Sequence, residues 1–185
     1  QKNPWQKKPG VADLIAVIKL PVMIAFQKLE AVHWPAVKNI YKEGIATGNA
    51  TFEQHAPEWE PWNASHLQHC RIAAINDNEL AGWAALTPVS GRCVYAGVAE
   101  VSVYVAEKFR GRKIGNALLE ELVKQSEANN LWTLQAGIFP ENVASIKIHE
   151  ANGFRIIGYR ERIGQMKGVW RNTVLMERRS KIIGT

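Results

Sequence analysis

Cysteine is scarce in this chain of 185 residues: Cys70 and Cys93 are the only two, far apart and in no Cys-x-x-Cys pair. That excludes a disulfide framework and a cysteine-built zinc site. Two reduced thiols of a cytoplasmic protein are the expected state, with a single disulfide as the alternative. The five histidines form no His-Glu-x-x-His. His66 and His69 are three apart, and an ordinary surface helix explains them better than a metal does, so no metal is expected. An unbroken apolar run is missing too. The most apolar early stretch, Val11–Phe26, is interrupted by Asp13, Lys19 and Pro21, which makes it a poor membrane span and a poor signal peptide. The Gly-Lys-Ser/Thr ending of a Walker loop and Gly-x-Gly-x-x-Gly are both absent, which removes two common nucleotide-binding classes. The net charge of +6 comes from scattered basic residues, apart from Lys7-Lys8 and Arg178-Arg179. Without a basic stripe interleaved with aromatics, nucleic acid is not an expected partner.

What remains is a globular composition, 46% hydrophobic and 22% charged, with no repeat and no low-complexity tract. It supports one domain with a substantial core. Residues 1–22 read as an N-terminal extension, natural or added by cloning, with a short helix at Ala12–Ile18. Residues 23–179 read as the domain and 180–185 as a tail. Ala25–Leu29 is expected as a strand. A helix opens at His33-Trp34-Pro35, with Pro35 tolerated in its first turn, and passes through Tyr41 and Ile45 to end near Gly48. A second helix is expected from about Trp59 to His69. Arg71–Ile75 and Leu80–Leu86 flank Asn76–Glu79 as a hairpin. Trp132–Ile138 is expected as a strand and Asn142–Asn152 as a helix, and strands at Phe154–Tyr159 and Val169–Met176 close the chain. Helices and strands in this order predict an α/β sandwich on a mixed sheet.

The chain centres on Val98–Ala117. Val101, Val103 and Val105 alternate with Glu100, Ser102 and Tyr104, the period of a strand. A polar turn at Ala106–Lys108 and the run Arg110-Gly111-Arg112-Lys113-Ile114-Gly115 follow. Leu118, Leu119, Leu122 and Val123 then form one stripe of a helix. A strand that runs through a basic, glycine-containing turn into a helix presents backbone amides and the positive end of the helix dipole together. This is a candidate pyrophosphate-binding turn. About thirty residues on, Pro140–Phe154 carries Asn142, Ser145 and His149, the last two on one helical face.

Together these segments resemble the acetyl-CoA-binding core of the GCN5-related N-acetyltransferases. That family's turn reads Gln/Arg-x-x-Gly-x-Gly/Ala, which Arg110 and Gly115 match. Lys113 stands where the pattern has its first glycine, either adding a cation near the phosphates or pointing to solvent. From about Phe26 to Glu177 the chain is similar to the phosphinothricin acetyltransferase and L-amino-acid N-acyltransferase group. The matching segments are Ala50–Glu53, Ala99–Val105, His149-Glu150, Gly153-Phe154 and Gly168-Val169-Trp170.

The resemblance implies the GNAT acyl-CoA N-acyltransferase fold, a mixed, mostly antiparallel central sheet flanked by helices. It implies acetyl-CoA as co-substrate, held by Val103, Tyr104, Val105, Arg110, Gly111, Arg112, Lys113, Ile114, Gly115, Asn116, Asn142 and Ser145. It maps a catalytic pair onto Glu100, which would take the proton of the attacking amine, and His149, which would protonate the departing thiolate or share the base role. Strand amides around Val103 and Val105 would polarise the thioester carbonyl. Arg92 would bind the acceptor's carboxylate or phosphinate with both guanidinium edges, and Phe52 and Tyr95 would wall the acceptor side chain. A second basic residue of the phosphinothricin enzymes is Ser90 here, a departure that counts against phosphinothricin itself as the best substrate and leaves an amino acid as acceptor. The expected reaction is acetylation of a small amino acid or analogue, such as methionine sulfoximine, methionine sulfone or phosphinothricin, by a cytoplasmic homodimer. The alternatives are an aminoglycoside, a protein N-terminus, or a non-catalytic acyl-CoA-binding module.

Overall fold

The computed structural model describes residues 23–185; the extension at 1–22 and the helix expected at Ala12–Ile18 lie outside the described residues. Valine alternation builds β4 (Val98–Val105), and every other strand takes its place relative to it. The remaining strands are β1 (Ala25–Lys28), β2 (Ile72–Asn76), β3 (Glu79–Pro88), β5 (Thr133–Ile138), β6 (Arg155–Met166) and β7 (Val169–Arg179). They form one sheet of seven strands in the order β1-β2-β3-β4-β5-β7-β6. All neighbours are antiparallel except β4 and β5, which run parallel. The sheet is mixed and mostly antiparallel, as the resemblance implies. Asp77 and Asn78 make the β2–β3 turn with φ of 49° and 64°, the left-handed pair that a tight hairpin requires.

The helices are α1 (Trp34–Ala46), α2 (Trp59–Ser65), α3 (Ile114–Ala128) and α4 (Val143–Ala151). Register assigns two of them to opposite faces of the sheet. Trp83, Ala85 and Thr87 lie opposite Tyr104, Ser102 and Glu100, and directly opposed residues share a face. On this face a Cβ added to Gly44 of α1 would lie 2.7 Å from Tyr104 Cδ1. The alternate set, Val101, Val103 and Val105, faces α3: a Cβ on Gly115 would sit 3.4 Å from Val105 Cγ2. The α3 stripe of Leu118, Leu119 and Leu122 is fully buried there.

Helix α2 is shorter than the sequence predicts, and His66 and His69 do not share a helical face. The helix ends at Ser65, and His66 follows in extended conformation. Buried Arg71 explains the stop. Its guanidinium donates to the carbonyls of Asn63, His66 and Leu67 and to Asn63 Oδ1, capturing the carbonyls that a continuing helix would have used. Strands β6 and β7 run several residues longer than expected, as a hairpin whose outer strand forms the sheet edge. Irregularities at Ile156/Gly158 and Arg160/Gly164 break its side-chain alternation. Cys70 is buried, Cys93 is exposed, and neither is in a disulfide.

Candidate active site

The two parallel strands diverge. β4 pairs with β5 at only Val98↔Thr133, Ala99↔Leu134 and Glu100↔Gln135. Beyond that point β4 continues along β3 to Val105, and β5 along β7 to Ile138. The edge of Val101–Val105 that turns toward β5 therefore has no strand partner, and such backbone groups need one from elsewhere. The fork opens into a cavity of about 1110 Å³.

One wall of this cavity continues from β4. A 3-10 turn at Glu107–Phe109 buries Phe109, and the chain then reverses through Gly111, at φ +76°. Lys113, the residue in place of a glycine, has φ +63° and stands as N-cap of α3. The first helical bond runs from Ala117 N–H to the Lys113 carbonyl at 3.1 Å, so the amides of the first turn have no helical acceptor. Arg110, Gly111, Lys113, Ile114, Gly115 and Asn116 all line the cavity. Arg112 does not. Its guanidinium lies 5.3 Å from the Phe109 ring centroid, on the surface.

The start of α4 completes this wall. Asn142 and Ser145 line the cavity, but the side chain of Asn142 is already engaged at both ends. Its Oδ1 accepts from the Ser145 amide at 3.2 Å, capping the helix, and its Nδ2 donates to the Asn49 carbonyl at 3.1 Å. The expected catalytic pair divides here. Glu100 is exposed at the tip of the fork and leans across it: a Cβ on Gly137 of β5 would lie 3.6 Å from Glu100 Oε1. His149 is 3% exposed. Its Nδ1–H donates to the Ser145 carbonyl at 2.8 Å, which leaves the lone pair of the neutral ring on Nε2. Nε2 is buried and has no partner, and Phe154 packs edge-on 4.9 Å away. Burial holds the imidazole below its usual pKa against the pull of the Ser145 carbonyl.

The opposite wall is assembled from distant pieces. Phe52 meets Phe139 edge-on at 4.7 Å and is fixed from behind by Gly164 of β6, where a Cβ would fall 2.7 Å from its ring. Arg171 of β7 donates to the Gly48 carbonyl at 3.0 Å and to Asn49 Oδ1 at 2.9 Å, pairs with Glu141 at 3.3 Å, and lies 4.2 Å over Phe139. Tyr104, expected among the cofactor contacts, turns its ring to this side between Trp83 and Tyr41, at 4.7 and 4.8 Å. Burial there raises its phenol pKa well above the usual value. Trp62 and His66 complete the wall beyond Thr87.

Arg92 and Tyr95, expected at the acceptor, are not brought to the cavity. The 3-10 turn at Cys93–Tyr95 holds both on the surface, with the guanidinium 5.5 Å over the tyrosine ring. Sequence reasoning missed Trp62, His66, Thr87 and Arg171. None lies in a local motif, and the only available signal was the density of tryptophan between Trp34 and Trp83. The cations of the cavity wall, Arg110 and Lys113, stand at the turn.

Known proteins are similar to this chain in sequence and fold. The profile of the acetyltransferase (GNAT) family matches residues 34–154. The chain is 32% identical over 150 residues to a phosphinothricin N-acetyltransferase of Alcaligenes faecalis, covering 78% of this chain and 76% of that protein. It is 29% identical over 171 residues to an L-methionine sulfoximine/L-methionine sulfone acetyltransferase of Pseudomonas paraeruginosa, covering 91% and 90%. The fold is similar to the crystal structure of a GNAT phosphinothricin acetyltransferase from Sinorhizobium meliloti in complex with acetyl-CoA: TM-score 0.75, 24% identity, covering 87% and 95% of the two chains.

Proposed function

The chain belongs to the acetyltransferase (GNAT) family and is an acetyl-CoA-dependent N-acetyltransferase; from that premise we propose that its acceptor is the amine of a small amino acid or analogue. The observation that carries the chemistry is the position of Glu100, at the tip of the fork and exposed to the cavity. The acceptor class is supported by the relatives, which act on phosphinothricin, methionine sulfoximine and methionine sulfone, and by an acceptor wall built of aromatic rings around a limited space.

Arg110, Lys113 and the free amides at the start of α3 would hold the pyrophosphate. The unpaired amides of β4 around Val103 and Val105 would receive the thioester carbonyl oxygen. An amino acid enters as an ammonium ion with no lone pair to attack, and Glu100 would accept its proton, directly or through water. Attack leaves a second proton on the nitrogen: Glu100 would give the first to the departing thiolate, then take the second and pass it to solvent. His149 has a sealed, unprotonated Nε2, which supports a packing role under the cavity rather than that of an acid. Arg92 and Tyr95 receive no acceptor role. A homodimer belongs to the same reading, supported by apolar side chains left in water on the β6–β7 hairpin, among them Tyr159, Ile163 and Trp170 at 58%, 52% and 57% exposure.

The test is thiol release from acetyl-CoA across methionine sulfoximine, methionine sulfone, phosphinothricin, free amino acids, an aminoglycoside and a short peptide. Turnover confined to the small amino acids and analogues is expected. Turnover only with the peptide or the aminoglycoside would replace the acceptor class and leave the family assignment standing.

A further inference from the structure

Two histidines line the cavity, and they are bonded alike. His149 Nδ1 meets the carbonyl of Ser145, and His66 Nδ1 meets the carbonyl of Trp62, each four residues back and each at 2.8 Å. A carbonyl only accepts, so Nδ1 carries the hydrogen in both rings and Nε2 carries the lone pair. At His66 the Ser65 hydroxyl reinforces this tautomer. It can give its own hydrogen to Trp62 O at 3.0 Å and accept from Nδ1 at 3.0 Å.

The rings differ in what surrounds Nε2. That of His149 is closed off. That of His66 is not among the sealed nitrogens and has no hydrogen bond among the described residues. The ring stacks on Trp62, centroids 4.1 Å apart and planes 22° from parallel, so one face is covered while the ring stays part of the cavity wall. Its location follows from backbone pairing. Leu67 N–H donates to the Leu86 carbonyl at 2.8 Å on one side of β3, and on the other side Thr87 lies opposite Glu100. His66 and Glu100 therefore flank Thr87, their backbones separated by two strand spacings, roughly 10 Å. An amino acid with its amine at Glu100 and a methionine-length side chain spans this distance.

We infer that His66 is a specificity-determining residue, whose Nε2 accepts a hydrogen bond from a donor at the far end of the acceptor's side chain. The inference rests on the acceptor class proposed above. It separates two near-isosteric compounds: methionine sulfoximine carries an imino N–H on sulfur, where methionine sulfone has a second oxygen and no donor. A phosphinate anion would bring only acceptor oxygens to the same lone pair. Burial, and next the Arg71 guanidinium bonded to the His66 carbonyl at 2.8 Å, bring the ring down to about 4, so it remains a neutral acceptor at working pH. A base that weak does not hold an ammonium proton, so His66 is a recognition group and not a second general base.

The decisive measurement is kcat/KM for methionine sulfoximine and for methionine sulfone, at saturating acetyl-CoA, in the natural protein and two variants. His66→Asn keeps a donor for the Trp62 carbonyl but lacks the far nitrogen. His66→Phe keeps the stack on Trp62. The natural protein is expected to favour the sulfoximine by about 3–10-fold, the worth of one hydrogen bond, and in both variants the ratio should collapse toward one. A merely structural role would lower both substrates together and preserve the ratio, which overturns the inference, as does a natural protein without the preference. Absence of turnover on both compounds in the natural protein is a different failure. It removes the methionine-derived acceptors from the proposed class, and the inference falls with them.

Discussion

The two walls of the cavity are made in different ways. The wall assigned to acetyl-CoA is almost one continuous run, Val98–Asn116, joined by the first turn of α4. The wall assigned to the acceptor draws on α1, the 47–53 segment, α2, β3 and β5, and is fastened by β6 and β7. A local wall can be carried by a short motif and its spacing. A wall of distant parts depends on a few side chains that hold those parts together, and substitutions there should act on the amine and not on acetyl-CoA.

Glu100 stands where the walls meet, and its loss should have the largest effect. Glu100→Gln is nearly isosteric and removes the proton acceptor, so kcat is expected to fall by about 10²–10⁴-fold, the usual worth of general-base catalysis. Acetyl-CoA affinity, read by calorimetry without an amine, should change little. An equal loss of acetyl-CoA affinity would put Glu100 in the cofactor wall and end its role as base.

Arg171 tests whether the acceptor wall is held from a distance. Its side chain is 15% exposed and satisfies the Gly48 carbonyl and the Asn49 side chain, more than 120 residues earlier in the chain. Hydrogen bonds from a charged donor contribute about 1.5–3 kcal/mol, whereas the bond to exposed Glu141 adds little. Arg171→Ala should therefore lower stability by about 2 kcal/mol in a denaturant titration and raise KM for the amine more than KM for acetyl-CoA. Arg171→Lys should restore only part of either, because a lysine lacks the fork that reaches two acceptors. Equal effects on both KM values would mean that the walls move as one.

The paired histidines sharpen the contrast under acid. Both rings titrate below their unfolded value near 6.5, His66 down at about 4. Between those values the unfolded chain binds protons that the native chain refuses. Stability is thus complete above about pH 6.5 and falls as pH drops toward the folded values. Unfolding followed from pH 7 to 5, before most carboxylates titrate, should show this loss, and His66→Asn should flatten part of it. An unchanged slope in that variant would mean that His66 is more solvated than the packing on Trp62 implies.

What could be read beforehand divides along the same line. The β4 alternation, the basic turn, the α3 stripe and the start of α4 near Asn142 are local, and the structure forms them where the sequence predicts. Strand period two sends the side chains of residues 103 and 105 to one face and the Tyr104 ring to the other, so the ring stands on the acceptor side of the cavity that the whole strand lines. Arg92 and Tyr95 were placed by resemblance, but a short turn pairs them with each other on the surface. His66 read as a surface helix residue, because nothing local announces that Arg71 stops α2 and leaves the ring against Trp62.

Lys113 is the point where motif and structure differ in residue and agree in backbone. The family pattern has glycine at this position, and the chain takes φ +63° there with a lysine. A side chain in the left-handed region costs about 1 kcal/mol that glycine does not. Lys113→Gly is accordingly expected to raise unfolding stability by at most about 0.5 kcal/mol once the greater freedom of glycine in the unfolded chain is subtracted. That is the smallest effect predicted here, and a second reading of the same variant gives it meaning. Lys113 lines the cavity at the end that holds Arg110, so acetyl-CoA affinity should fall as stability rises, the amine KM staying where it was. Strain retained against a gain in stability would then have a reason, a cation kept beside the phosphates. Unchanged acetyl-CoA affinity would place the ammonium in solvent and leave the strained lysine without one.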